Sequence, residues 1–255
     1  MPRPALLVCV LATVLLVMPA PVEPQETIEE RPKPIETFQY GVEWRLVTAG
    51  RAKLSRTARG ENGWLAELHL ESTGLVSRLY RVSDKYQSIF DPGFCVSATY
   101  MQAEEGRRRR ETTVKFDREA RKSTYLERDL LKNSVVLEKE LDTPECVHDV
   151  LSALLRLRSV KLPPGQSLQL PMSDGKRMIS ARVEAQEKET VKTPAGTFTA
   201  VRYEAFLFND ALYSRKGRLY IWLTDDEQRL PVQIRAKLGF PVGTISLQLE
   251  KSGTS

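Results

Sequence analysis

The chain has 255 residues, of which 41% are hydrophobic and 28% are charged, a composition typical of a soluble globular protein with one large domain or two small ones. Its formal net charge of +5 favours anionic partners such as lipid head groups, acidic polysaccharide or acidic proteins. The sequence contains no nucleic-acid-binding motif, so we do not expect DNA or RNA as a partner.

The N-terminal residues indicate where the protein works. Arg3 precedes an uninterrupted apolar run from Ala5 to Met18. A basic start and a short apolar run are typical of a secretory signal peptide, and this run is shorter than the roughly 20 residues of a membrane span. We therefore predict a signal peptide over residues 1–20, cleaved near residue 20, and export to the periplasm or the outer cell envelope. Because Met18 and Pro21 are unfavourable around the cleavage point, an uncleaved N-terminal anchor is the alternative.

The composition changes twice after this segment. Residues 21–36 are rich in proline and glutamate and nearly free of large apolar side chains, which predicts an extended linker. Residues 37–251 then alternate between apolar and polar side chains, which predicts a single β-rich domain. Two sheet halves joined by a helix are the alternative arrangement.

Strands are predicted from this period-two alternation, which begins at Phe38 and places every second residue up to Leu46 on one face. Turn signals such as Asp91-Pro92-Gly93 separate many of the apolar runs. The further predicted strands are 52–58, 64–70, 82–90, 95–103, 112–116, 123–127, 134–137, 167–170, 178–185, 189–191, 198–208, 217–223, 232–237 and 244–249.

One segment follows the helical period instead. Thr143 can cap a helix, Pro144 suits its first position, and apolar residues recur at helical spacing from Val147 onwards. We predict a helix over residues 144–159, and a short helical turn at 75–80. About fifteen strands and one packed helix predict a mainly β protein with a large curved antiparallel sheet, which forms an open or partly closed barrel.

Two cysteines remain once the predicted signal peptide, with Cys9, is removed. Cys95 and Cys146 form an even pair in an oxidising compartment, so we predict a disulfide between them. Such a bond would close a loop of about 50 residues and stabilise the fold by roughly 4 kcal/mol in the chain-entropy model. Two separate buried thiols, or a redox-active pair, are the alternatives.

Short motifs follow one another in a recognisable order along most of the chain. They are Tyr40-Gly41-Val42, Gly74-Leu75-Val76, Leu79-Tyr80, Asp91-Pro92, Asp149 to Leu154, Leu157-Arg158, Pro164-Gly165, Asp174-Gly175, Val191 to Phe198, Trp222 to Asp226, Leu230-Pro231-Val232 and Gly243-Thr244. Over about residues 38–250 this series resembles a family of exported bacterial proteins, domain of unknown function family 3108. The resemblance implies an export signal and a β-rich body. It provides no catalytic residue, because the family has no known activity.

Candidate catalytic and metal-binding groups are few. His148 and Ser152 are four residues apart on one face of the predicted helix, which would suit a hydrolytic pair. In the alternative interpretation Asp149 stabilises the start of the helix and Ser152 allows close packing. The acidic cluster 225–227 is either a solvated hairpin tip or a weak calcium site. We expect no metal centre and no cofactor.

A run of four arginines, Arg107, Arg108, Arg109 and Arg110, is the strongest charge feature. Because successive side chains of a strand point to opposite faces, not all four can be buried. One interpretation is a solvated edge strand protected against aggregation. The other is an anion-binding patch for lipid head groups or polysaccharide.

Four aromatic residues, Trp44, Tyr203, Phe206 and Trp222, are candidates for a ligand wall on the concave face, with burial in the core as the alternative. The leading hypothesis is a non-catalytic envelope protein whose curved sheet binds a lipid-like, apolar or amphipathic ligand, or a protein partner. A structural or assembly module without a small ligand is the second hypothesis. A hydrolase that uses His148 and Ser152 is the third.

Overall fold

A computed structural model describes residues 35–60 and 63–254, so the predicted signal peptide and nearly all of the predicted linker lie outside the described residues. The described residues form 14 strands and two helices. The strands are β1 (Glu36–Trp44), β2 (Val47–Arg59), β3 (Gly63–Ser72), β4 (Val82–Phe90), β5 (Val96–Glu105), β6 (Arg108–Asp117), β7 (Lys122–Asp129), β8 (Ser134–Asp142), β9 (Ser167–Ser173), β10 (Met178–Thr193), β11 (Gly196–Ala205), β12 (Gly217–Thr224), β13 (Pro231–Leu238) and β14 (Thr244–Thr254). The helices are α1 (Gly74–Leu79), between β3 and β4, and α2 (Val150–Ser159), between β8 and β9.

All 14 strands belong to one antiparallel sheet, in the order β8-β7-β6-β5-β4-β3-β2-β1-β14-β13-β12-β11-β10-β9. Neighbours in the sheet are also neighbours in the sequence, except where the first strand pairs with the last. Strands β8 and β9 are the two edges, and the segment that contains α2 connects them. The prediction of a mainly β fold with a large, open antiparallel sheet is therefore confirmed.

The core is a single cluster of apolar side chains from α2 and from strands on both sides of the sheet order. Phe38, Tyr40 and Val42 contribute to it from β1, where they alternate with more exposed residues. Six residues between Leu151 and Leu157 are buried on α2. A sheet can place strands from both halves of its order around one helix only if it curls. The side chains of α2 thus fill the interior of the curled sheet.

Helix α2 begins six residues later than the sequence predicts. Its N-cap is Asp149, whose carboxylate accepts a hydrogen bond from the backbone N–H of Ser152 at 2.9 Å. The Ser152 hydroxyl accepts in return from the Asp149 backbone N–H at 3.0 Å, which completes a capping box. The predicted start at residue 144 is wrong, because the residues before Asp149 pair with strands and cannot be helical.

This connecting segment joins two distant parts of the sheet. The carbonyl of Val147 accepts a hydrogen bond from the first residue of β5 at 2.8 Å, and the backbone N–H of His148 donates to Pro171 in β9 at 2.8 Å. Beside these bonds, Cys95 and Cys146 form a disulfide with their Cα atoms 5.0 Å apart. The predicted disulfide is confirmed, and it fixes the approach to α2.

The count of strands differs by one from the prediction. Two predicted strands, 178–185 and 189–191, are parts of the single long strand β10. A register shift between Ala185 and Lys188 interrupts the alternation there, so the sequence pattern breaks although the strand continues. The short helical turn predicted near residue 75 corresponds to α1.

Candidate functional site

The turns of this sheet lie alternately at its two ends, and the two ends differ in their side chains. The first end carries the turns after β1, β3, β5, β7, β9, β11 and β13, and the second carries those after β2, β4, β6, β10 and β12. In the described part of the chain, the exposed large hydrophobic side chains lie in the turns of the first end or in the halves of strands that adjoin these turns. They are Trp44, Leu46, Val47, Leu75, Leu79, Tyr80, Leu130, Leu131, Val135, Val136, Leu137 and Phe240. We call the first end the apolar end and the second the polar end.

The two ends also differ in formal charge. The turns of the apolar end contain nine basic residues and two acidic ones, a formal charge of +7, whereas the described residues of the turns after β2, β4, β6, β10 and β12 contain three basic and five acidic ones, a formal charge of −2. The basic residues of the apolar end are Arg45, Arg78, Arg81, Arg107, Lys132, Lys176, Arg177, Arg215 and Lys216. Exposed apolar groups among positive charges complement an amphipathic anion or an anionic surface.

Leu46 shows how an apolar residue becomes exposed at this end. The sequence pattern predicts it on the buried face of the first strand, but β1 ends at Trp44. Arg45 and Leu46 then form the turn, with φ angles of 51° and 68°. Because the chain reverses there, the Leu46 side chain is 93% exposed. The predicted burial of Leu46 is therefore wrong.

An apolar cleft of about 800 Å³ opens at the apolar end. Three turns and the residues next to them bring its walls together: Trp44 is the last residue of β1, before the β1–β2 turn, Tyr80 follows α1, and Phe240 lies in the β13–β14 turn. The indole Nε1 of Trp44 donates a hydrogen bond to the carbonyl of Val242 at 2.6 Å, which ties the first of these turns to the third. The cleft is thus built from parts of the chain nearly 200 residues apart.

Three charged side chains, Arg45, Glu105 and Arg215, line the same cleft. The Arg45 guanidinium lies over the Trp44 ring, 5.4 Å from its centroid, and also donates to two backbone carbonyls of the β13–β14 turn. Glu105 forms an ion pair with Arg108 at 3.8 Å. The cleft therefore combines apolar walls with guanidinium groups, as an amphipathic ligand with an acidic head would require.

The polar end is closed by the C-terminal turn of α2. Arg158 donates to both carboxylate oxygens of Glu36, at 2.7 and 2.9 Å, and to the backbone carbonyl of Arg229 at 2.9 Å. Arg229 donates back to the Arg158 carbonyl at 2.9 Å and to the hydroxyl of Tyr203 at 3.0 Å. Because Glu36 is only 7% exposed, this bidentate pair is shielded from solvent.

The structure separates the four aromatic residues proposed as a ligand wall. Trp44 lines the cleft and is 39% exposed. Tyr203 is fully buried in the core. Trp222 is buried as well, and its indole N–H donates to a glutamate of β10 at 2.6 Å. Phe206 is half-buried beneath the guanidinium of Arg182, 4.2 Å from its ring centroid. Of these four, only Trp44 is at the cleft.

The arginine run lies at the β5–β6 turn. Arg107 is in the turn, while Arg108 and Arg110 point from β6 into a trough of about 260 Å³ and Arg109 points to the other face. Each of the three strand arginines pairs with a carboxylate of the same turn or a neighbouring strand, at 3.1, 3.4 and 2.9 Å. The edge-strand interpretation is wrong, because β6 lies between β5 and β7. The anion patch stays a prediction, and carboxylates already compensate three of its charges.

His148 and Ser152 do not form a hydrolytic pair open to substrate. They are 4% and 0% exposed, and neither lines the cleft or the trough. The Ser152 hydroxyl bonds to the backbone of Asp149, as the capping interpretation requires. Burial lowers the pKa of His148. Asp149 also accepts hydrogen bonds from the hydroxyls of Tyr86 and Ser88, both at 2.8 Å, so this polar cluster anchors α2 to β4.

Residues 35–60 and 63–254 contain no group of three or more His, Cys, Asp or Glu side chains arranged to hold a metal ion. The acidic cluster 225–227 belongs to the β12–β13 turn, where Asp226 accepts from the backbone N–H of Arg229 at 3.0 Å. No helix within the same ranges has the length and hydropathy needed to cross a membrane.

The profile of the family described as protein of unknown function DUF3108 matches residues 39–250. The chain belongs to the DUF3108 family. The resemblance noted in its motifs is thereby confirmed, and no curated protein sequence matches this DUF3108 chain. Its fold is similar to the crystal structure of a β-barrel-like protein of family DUF1849 from Brucella abortus, with a TM-score of 0.54 at 11% identity over 87% of this chain and 98% of that one. A DUF1089 protein from Pseudomonas aeruginosa matches at a TM-score of 0.38 and 15% identity, over 74% and 90% of the two chains.

Sequence reasoning missed Tyr80 and Phe240 as cleft residues. A signal for Phe240 is present in the segment Gly239-Phe240-Pro241-Val242-Gly243, which places two apolar side chains inside a turn rich in glycine and proline. An apolar side chain in such a turn has no strand face on which to be buried. Apolar residues within turn signals, rather than aromatic residues within strands, would have indicated this DUF3108 cleft.

Proposed function

We propose that this DUF3108 protein is an exported, non-catalytic protein of the cell envelope that binds an amphipathic molecule in the cleft of its apolar end. The observation that carries the proposal is the cleft itself, which Trp44, Tyr80 and Phe240 line together with two arginines. Its volume of about 800 Å³ falls in the range of small-molecule sites. Apolar walls would hold a hydrocarbon portion, and Arg45 and Arg215 would attract an acidic head group.

Export is supported by two independent observations. The predicted signal peptide over residues 1–20 would direct the chain out of the cytoplasm. The disulfide between Cys95 and Cys146 suits an oxidising compartment, because such bonds rarely persist in the cytosol. Periplasm or outer envelope is therefore the proposed location.

The proposed ligand position differs from the concave interior that the sequence suggested. Core side chains and α2 fill that interior, whereas the cleft lies at the end where the turns meet. The burial of His148 and Ser152 offers no support for hydrolysis. A protein partner that buries an apolar side chain in the cleft is the second candidate, and the exposed Phe240 favours it equally.

The test is native mass spectrometry of the protein expressed with its N-terminal segment and purified from the cell envelope. We expect a discrete added mass that organic solvent removes. Val76→Trp places a large side chain in the cleft and should reduce the occupied fraction at least about tenfold, since the ligand would lose its apolar contacts. Leu75→Trp adds the same side chain at a neighbouring position outside the cleft and should leave the occupancy unchanged.

A protein without any added mass, or an added mass that Val76→Trp and Leu75→Trp affect alike, would contradict ligand binding in the cleft. If another envelope protein co-purifies in place of a small molecule, the assembly function is supported instead. The same spectra report the cleavage site and, by a deficit of about two mass units, the disulfide.

A further inference from the structure

We propose that the apolar end is a docking surface for an anionic membrane. Its exposed apolar side chains would enter the lipid interface, and its arginines and lysines would contact the phosphate head groups. The inference deepens the proposed function by naming a partner for the same end, and it rests on that proposal only for export to the envelope. It does not depend on whether the cleft binds a ligand.

Several apolar side chains at the tips of the turns are almost fully exposed to solvent, where they contribute nothing to the core. Leu46 and Phe240 are 93% and 95% exposed, and Leu79 on α1 is 79% exposed. Single exposed apolar residues are common on monomeric proteins, but a concentration of them at one end marks an interaction surface. These side chains belong to three separate turns, and Phe240 and the chain neighbours Arg45 and Tyr80 line one cleft, so the surface is a property of the folded end and not of one loop.

The chemistry of the residues around the tips favours a lipid interface. Trp44 and Tyr80 are partly exposed beside the leucines, and both residue types are enriched where hydrocarbon meets head groups. Arg78 and Arg81 flank the exposed residues of α1, and Arg45 stacks on Trp44. Arginine donates well to phosphate oxygens, and each basic residue close to an anionic membrane contributes about 1 kcal/mol.

The charge difference between the two ends would orient the molecule. The turns of the apolar end carry a formal charge of +7, and the described residues of the polar-end turns carry −2. A strand such as β3, with ten residues, spans about 33 Å, several times the Debye length of about 8 Å at physiological salt. The polar end therefore hardly weakens the attraction of the apolar end to an anionic surface.

The same charge argues against a second copy of this chain as the occupant. Two apolar ends brought face to face would juxtapose two surfaces of the same positive sign, which is unfavourable. An anionic membrane complements both the apolar tips and the charge. Docking in this orientation would also place the mouth of the cleft at the lipid surface, so an amphipathic molecule could pass between bilayer and protein without crossing water.

The experiment is co-sedimentation of the purified mature protein with vesicles of phosphatidylglycerol and phosphatidylcholine, compared with vesicles of phosphatidylcholine alone. We expect binding to the anionic vesicles that weakens as salt rises. The double variant Leu46→Asn/Phe240→Ser should lower the partition coefficient at least about tenfold, because two apolar side chains lose their burial. Arg78→Gln/Arg215→Gln should lower it by roughly 25-fold on anionic vesicles, about fivefold for each charge.

The matched control is Arg59→Gln/Arg121→Gln, which removes the same charge from exposed positions at the polar end. It should change binding less than about twofold, because these residues lie beyond the Debye length from the surface.

The proposal is overturned if anionic vesicles do not bind the protein, if the control pair weakens binding as much as Arg78→Gln/Arg215→Gln, or if Leu46→Asn/Phe240→Ser has no effect. It is also overturned, in favour of a second copy, if the protein does not bind vesicles and forms a dimer that Leu46→Asn/Phe240→Ser dissociates. If Val76→Trp contains no bound ligand but still binds anionic vesicles, membrane docking does not depend on ligand binding in the cleft. The two proposals can therefore fail separately.

Discussion

Both ends of the sheet are built from turns between antiparallel strands, but the two ends differ in how far their side chains are buried. At the polar end, α2 closes the curled sheet, and Arg158 forms a bidentate pair with the buried Glu36. The Cys95–Cys146 disulfide joins the β4–β5 turn of that end to the segment before α2. At the apolar end, α1 buries none of its residues, and Leu46 and Phe240 are exposed to solvent.

This difference supports the proposal that the polar end stabilises the fold and the apolar end binds a partner. Burying a leucine or phenylalanine side chain stabilises a fold by about 1.5–3 kcal/mol, so exposing several of them has no folding advantage. The polar end has the opposite character, since its buried charges are paired and its approach to α2 is cross-linked. Substitutions at the polar end should therefore change stability, and substitutions at the apolar end should change binding.

The largest effect on stability is expected from removing the disulfide. Cys95→Ser/Cys146→Ser should lower the free energy of unfolding by about 4 kcal/mol, because the bond spans 51 residues and restricts the unfolded chain. Urea denaturation of the purified double variant measures this change. A loss below about 1 kcal/mol would show that the hydrogen bonds of Val147 and His148 hold the connecting segment without the cross-link.

A somewhat smaller loss is expected at the ion pair that closes the polar end. Arg158→Ala should lower the free energy of unfolding by about 3 kcal/mol, since it leaves the buried Glu36 with only the more distant Arg56, at 3.6 Å. Arg156→Ala is the control, because Arg156 lies on the same helix and bonds only to Ser159. If denaturation curves show that Arg158→Ala and Arg156→Ala lower the free energy of unfolding equally, the pair between Arg158 and Glu36 does not stabilise the polar end.

The smallest effect concerns a carboxyl group of β4 near the apolar end. Burial raises the pKa of Asp84 to about 6, from 3.8, although its carboxylate accepts a hydrogen bond from the Glu104 backbone N–H. Between about pH 4 and pH 6 the folded protein therefore holds a proton that the unfolded chain has lost, so stability falls as the pH rises through this window.

Asp84→Asn should remove this dependence and gain on the order of 1 kcal/mol above pH 6, after allowance for the partial exposure of the group. Thermal unfolding from pH 4 to pH 7 measures the difference between the variant and the parent protein. Asp210→Asn, at an exposed carboxylate of the same end, is the control. Parallel pH profiles for Asp84→Asn and the parent would contradict the raised pKa.

Much of the fold could be predicted because alternation has a direct physical meaning. Phe38, Tyr40 and Val42 are buried as their spacing predicts, and an even pair of cysteines in a chain predicted to be exported predicts the observed bond. The start of α2 could not be predicted, because Pro144 and Val147 fit a helix locally. Long-range hydrogen bonds to β5 and β9 decide their conformation instead. The bulge at Ala185 likewise interrupts the pattern without ending the strand.

Less of the candidate site could be predicted, because three turns assemble it. Trp44 was identified as an aromatic residue, but only the pairing of β1 with β14 brings it to Val242. Tyr203 and Trp222 looked equally suitable as ligand contacts, and the curl of the sheet buries both. The difference between the two ends cannot be predicted without the strand order, since only the topology shows which turns share an end.

The most direct test of the account uses the tryptophans already present. Trp44 lies at the apolar end and Trp64 at the start of β3, at the polar end. With anionic vesicles that carry brominated acyl chains, at lipid concentrations that bind all of the protein, the account predicts strong fluorescence quenching in Trp64→Phe and little in Trp44→Phe. Quenching that persists in Trp44→Phe and disappears in Trp64→Phe would show that the polar end faces the membrane and would contradict the account.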